Sequence, residues 1–104
     1  MKSVIKRICD VFARHPEVEK AIIYGSRARG THKRSSDIDL TLTGDERLTF
    51  VALTMIMDEL DDLLIPYMID LSVLSSISDP DVLDHIRRVG VVFYERGATG
   101  SHTL

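Results

Sequence analysis

Apolar residues at Val4, Ile5, Ile8, Val11 and Phe12 recur at three-to-four-residue spacing. That period predicts an amphipathic helix over residues 4 to 14, and Pro16 stops it. "KAIIYG" then reads as a short apolar strand ending at Gly25. In "DIDLTLT" the alternation is strict. Ile38, Leu40 and Leu42 fall on one face of a strand, and Asp37, Asp39 and Thr41 on the other. Gly44-Asp45 marks a turn. From Leu48 to Leu64, apolar positions 48, 51, 52, 55, 56, 60, 63 and 64 predict a long helix closed by Pro66, with the Met55, Ile56, Met57 stretch read as core.

"YMIDLSVL" is a third strand, with Ile69, Leu71 and Val73 on one face and Met68, Asp70 and Ser72 on the other. "SDPDVLDHIRRVG" carries full helix punctuation: Ser78 or Asp79 as the cap, Pro80 in the first turn and Gly90 at the end. "VVFY" predicts a short fourth strand, and "ERGATGSHTL" has no apolar period. The order of elements implies an α/β (α+β) fold, a small mixed sheet of three to four strands with helices packed on it. The expected division is one domain over residues 1–96 and a loose tail over 97–104.

Length and composition fit this picture. The chain has 104 residues, enough for one core, and 44% hydrophobic with 28% charged residues is ordinary for a globular protein. No apolar run reaches the roughly 20 residues of a membrane helix. The single cysteine, Cys9, excludes an intrachain disulfide and reads as helix packing in a reducing compartment, so a cytoplasmic location is expected. The net charge of −3 and the absence of tryptophan argue against nucleic acid as a direct partner. Arg27, Arg29, Lys33 and Arg34 nevertheless sit within eight residues, which implies one local basic site, although a solvated basic loop is the ordinary alternative. Asp58, Glu59, Asp61 and Asp62 form an acidic run that reads as a solvated helix end. His15, His32, His85 and His102 lack ligand spacing, and His85 reads as surface or partner-facing.

The chemistry concentrates between residues 24 and 42. Asp37 and Asp39 lie two apart on a strand, so their side chains point the same way, roughly 7 Å apart. Taken alone they describe an edge strand with a polar face. Side by side, however, two carboxylates repel unless a cation meets them, and the hard cation that pairs carboxylates with phosphates is Mg²⁺. Asp70 supplies a third strand-borne acid, and three such groups suit a two-metal site for displacement at phosphorus. Gly25 gives a turn at a strand end. Ser26 can cap a helix beginning there, leaving backbone N–H groups to face an anion, with Arg27 and Arg29 adding positive charge. A phosphate cradle beside a metal site is the result.

Gly25-Ser26, ten intervening residues, then Asp37-Ile38-Asp39 resembles the G-S-x10-D-x-D signature of the nucleotidyltransferase (polymerase β-like) superfamily. With "IDLSVL" and "IRRVGVVFYE", residues 18 to 96 look like the minimal nucleotidyltransferases (MNT). The resemblance implies that Asp37 and Asp39 hold two Mg²⁺ ions, that Asp70 shares a metal and helps activate the attacking hydroxyl, and that Gly25 and Ser26, with Arg27 and Arg29 beside them, bind the triphosphate of ATP. It also implies transfer of a nucleoside monophosphate to a hydroxyl. Minimal members act as antitoxins beside a HEPN-domain toxin, and several transfer AMP to a tyrosine of that ribonuclease. Two other expectations stay open: neutralisation of the HEPN partner by binding alone, and transfer to a small-molecule or RNA acceptor.

Overall fold

The structure, a computed structural model, describes residues 2–25 and 38–97. Its elements are α1 (Lys2–Ala13), β1 (Val18–Ile23), β2 (Ile38–Gly44), α2 (Phe50–Asp61), β3 (Ile69–Val73), α3 (Pro80–Val89) and β4 (Val91–Glu95), with a 3₁₀ turn at Leu74–Ser76 that the sequence pattern did not predict. Thr49 caps α2 by accepting from the Ala52 N–H. Asp79, followed by Pro80, caps α3 by accepting from the Asp81 N–H, as its punctuation predicts. Helix α2 runs from residue 50 to 61, shorter than the apolar pattern suggests.

The four strands form one mixed sheet in the order β3-β2-β1-β4. Strand β1 runs antiparallel to both β2 and β4, whereas β2 and β3 are parallel. The parallel pair is possible because α2 carries the chain back across the sheet between the two strands.

The alternation in β2 decides what faces what. Ile38, Leu40 and Leu42 are fully buried in a cluster with Ile8, Val11 and Phe12 of α1 and Ile56 and Leu60 of α2. Helices α1 and α2 therefore cover one face. Ile86 of α3 is buried outside that cluster and lines a cleft with Leu83, Ile22 and Val92, which places α3 on the opposite face. Cys9 packs in the core as expected, its Sγ 3.7 Å from the Phe93 carbonyl oxygen. Burial, with the Asp10 charge adding to it, pushes its thiol up to about 12, so it is chemically quiet.

One expectation is corrected here. Only Ile56 of the Met55, Ile56, Met57 stretch is core; Met55 is 55% and Met57 38% exposed, and Phe50 and Val51 also stand out from α2. A helix apolar around most of its circumference has no single stripe by which spacing alone can pick the buried face.

The end of β4 is fastened to the end of α1. Arg96 donates from Nε to the Val18 carbonyl at 2.9 Å and from Nη2 to the carbonyls of Phe12 and His15 at 3.0 and 2.8 Å. The Phe12 and His15 carbonyls already accept from the His15 and Val18 N–H groups, so the guanidinium takes up their second acceptor positions and opposes the negative end of the helix dipole. Arg96→Met should lower stability by about 2 kcal/mol, seen as a fall in Tm of roughly 10 °C by calorimetry.

Candidate active site

Strand β1 ends at Ile23, and Tyr24 and Gly25 continue from it alongside the start of β2. The Tyr24 N–H donates to the Asp39 carbonyl at 3.1 Å. Gly25 thereby comes against the Asp39 side chain. A Cβ built on Gly25 would lie 2.0 Å from Oδ2 of Asp39 and 2.9 Å from its Cγ. The backbone of Gly25 is not left-handed, so the position requires glycine for its small size and not for its conformational freedom.

Asp39 and Asp70 are register partners in the parallel β2–β3 pair. Paired positions on neighbouring strands share a face and lie roughly 4.8 Å apart. The Ile38 N–H bond to the Met68 carbonyl, at 2.7 Å, sets this register at the beginning of both strands. Asp39 is half-buried and Asp70 exposed, so the pair opens towards solvent. Two oxygen-donor side chains converging on an open rim fit a hard divalent cation, which takes one or two carboxylates and fills its remaining positions with water and phosphate oxygens. Among the described residues no group of three metal-ligating side chains occurs. The expected third, Asp37, lies outside the described residues, as do Ser26, Arg27, Arg29, Lys33 and Arg34, His32, and tail residues 98–104.

The same sheet face continues with hydroxyls. Ser72, two residues beyond Asp70, donates to Oγ1 of the buried Thr41 at 3.0 Å. The Tyr24 phenol lies beside Ser72 and within the field of both carboxylates. Burial raises it above the ordinary tyrosine range; the Ser72 hydrogen bond pulls it down, and the Asp39 and Asp70 charges push it further up. It therefore stays protonated and serves as a neutral wall of the site.

Two features escaped sequence reasoning. His85 is half-buried and not a surface residue: its Nε2 donates to the Tyr24 carbonyl at 3.1 Å, and its ring meets that of Tyr24 edge-on at 6.4 Å. A lone histidine in a helix carries no pattern that could announce this contact, although its position on the apolar side of α3, one residue before Ile86, was a hint. The acidic run is also more than a solvated end, because Glu59 pairs with Arg14 and His15, the latter at 2.6 Å.

Known proteins resemble this chain in sequence and fold. Residues 6–99 match the family model described as Polymerase beta, Nucleotidyltransferase. A curated relative from Haemophilus influenzae, described as probable protein adenylyltransferase MntA, is 33% identical over 76 residues, which is 73% of this chain and 66% of the relative's length. Among solved structures, the crystal structure of a toxin–antitoxin with AMP-PNP superposes with a TM-score of 0.72 at 22% identity, covering 89% of this chain and 74% of the other. That of the toxin–antitoxin MntA-HepT gives 0.67 at 18% identity over 91% and 73%. At those identities the likeness is one of fold. The four-stranded mixed sheet with helices on both faces is the nucleotidyltransferase fold.

Proposed function

The chain belongs to the polymerase beta nucleotidyltransferase family, and on that premise we propose that it is the antitoxin of a toxin–antitoxin pair that transfers AMP from ATP to a tyrosine hydroxyl of its toxin partner, a HEPN-domain protein, in the cytoplasm. The observation that carries this reading is the register pairing of Asp39 with Asp70 beside a glycine packed on the Asp39 carboxylate. It brings together three separated pieces of the sequence signature. The description of the Haemophilus influenzae relative as a probable protein adenylyltransferase supports a protein as the acceptor.

The residues have separable parts in this reaction. Asp37, Asp39 and Asp70 would hold two Mg²⁺ ions, which when bound neutralise triphosphate charge and lower the pKa of the attacking hydroxyl. Gly25 and Ser26 present backbone N–H groups to the phosphates, and Arg27 and Arg29 supply positive charge nearby. Asp70 is exposed on the edge strand β3, so its carboxylate is open to an acceptor that docks there. The tyrosine oxygen forms a bond to the α-phosphorus, the bond to the β-phosphate oxygen breaks, the phenolic proton leaves to solvent or a carboxylate, and pyrophosphate departs. Most of the rate gain comes from positioning and charge compensation.

Neutralisation by binding alone is the second reading. It is favoured by the exposed Phe50, Val51 and Met55 on α2, which offer a partner apolar surface away from the carboxylates. Co-expression with the product of the neighbouring gene, followed by intact mass measurement of that product, separates the two. Mass gained in steps of AMP, and absent with Asp37→Ala/Asp39→Ala, is the expected result. A stable complex without added mass favours the binding antitoxin. Neither mass nor complex points to a small-molecule or RNA acceptor.

A further inference from the structure

We propose that His85 is a positioning residue for the nucleotide phosphates, acting through Tyr24 on Gly25; the inference rests on the function proposed above.

Tyr24 is the residue through which β1 enters the site, and three elements hold it. Its N–H donates to the Asp39 carbonyl on β2 at 3.1 Å, its carbonyl accepts from His85 Nε2 on α3 at 3.1 Å, and its phenol lies beside Ser72 on β3. Tyr24 lies one residue past the end of β1, and among the described residues the His85 imidazole is the side chain that bonds its carbonyl. The next residue, Gly25, passes so near Oδ2 of Asp39 that even one added carbon would overlap it. Releasing the Tyr24 carbonyl lets the peptide plane between Tyr24 and Gly25 rotate, and that plane carries the Gly25 N–H. His85 therefore sets the aim of a phosphate-binding amide without touching substrate. The edge-on ring contact with Tyr24, at 6.4 Å and 80°, holds the imidazole in the orientation this bond requires.

A packing role and a positioning role make different demands on substitutions. His85→Leu keeps the volume and loses the donor, while His85→Gln keeps a donor nitrogen at the same reach. Each variant is compared with wild type in three measurements: AMP-PNP affinity by calorimetry, steady-state AMP transfer, and the Gly25 amide resonance in the ¹H–¹⁵N spectrum. The expected result for His85→Leu is an apparent KM for ATP and an AMP-PNP Kd raised roughly ten-fold, the order of one hydrogen bond, with kcat changed far less. The Gly25 resonance should shift, and His85→Gln should recover most of each loss. Wild-type affinity and an unmoved Gly25 resonance in His85→Leu would overturn the inference. So would equal impairment of the Leu and Gln variants, which marks a role in shape alone. A wild-type chain that neither binds AMP-PNP nor transfers AMP overturns the proposed function, and this inference with it.

Discussion

Asp70→Asn is expected to lower AMP transfer by roughly 10²- to 10³-fold while leaving the protein at least as stable as wild type. The two halves of this result have one cause. Asp39 and Asp70 are register partners on parallel strands with their carboxylates on the same face. Without a cation, two such charges repel, and neutralising the exposed member relieves that repulsion at no cost in packing. With substrate and cation, the lost charge is missing where the triphosphate is neutralised. Each tenfold in rate corresponds to about 1.4 kcal/mol, so the expected loss is of the order of two to three such steps. Steady-state transfer and a thermal melt of the same sample check both halves. A matching fall in melting temperature would instead assign Asp70 to the scaffold.

Gly25→Ala should produce a loss of about 100-fold by a different route, since no charge changes. The new methyl needs the space that Oδ2 of Asp39 occupies, 2.0 Å away, and ordinary contact begins near 3.4 Å. The carboxylate has to retreat by more than an ångström or rotate to another rotamer. Because Asp39 is half-buried and faces the open rim, the rotation is available and the fold survives it. Backbone strain does not enter, because Gly25 is not left-handed. Activity should thus fall with a melting temperature within a few degrees of wild type, and the Asp39 carboxyl ¹³C resonance should move.

Much of the fold was legible because period and punctuation agreed. The alternation of Ile38, Leu40 and Leu42 with Asp39 and Thr41 describes a strand with one buried and one functional face, and the structure has that strand. The Asp79-Pro80 start of α3 is equally local information. Strand order was not legible: nothing in "DIDLTLT" or "MIDLSV" says that their aspartates become register partners, because pairing is settled by the helix that joins them. The outward turn of Met55 and Met57 was hidden by a helix with apolar residues on several sides. His85 was missed for a more general reason. Its contribution is a single bond to a backbone carbonyl 61 residues earlier, and a backbone acceptor leaves no trace in a sequence. The same is true of Arg96, whose hydrogen bonds among the described residues all go to carbonyls.

That last contact bears on how the chain is made. Strand β1 needs β4 on one side, and the end of α1 needs Arg96, so elements synthesised early wait for ones synthesised much later. The closure of Arg96 onto Phe12 spans 84 residues, which makes the assembly slow to nucleate and leaves β1 with an open edge until translation reaches residue 96. A chain cut short before that point lacks both the strand and the clasp. Folding competence, and with it the placement of Asp39, is thereby tied to translation past residue 96, and a fragment that stops short of it lacks the closure that β1 and α1 need.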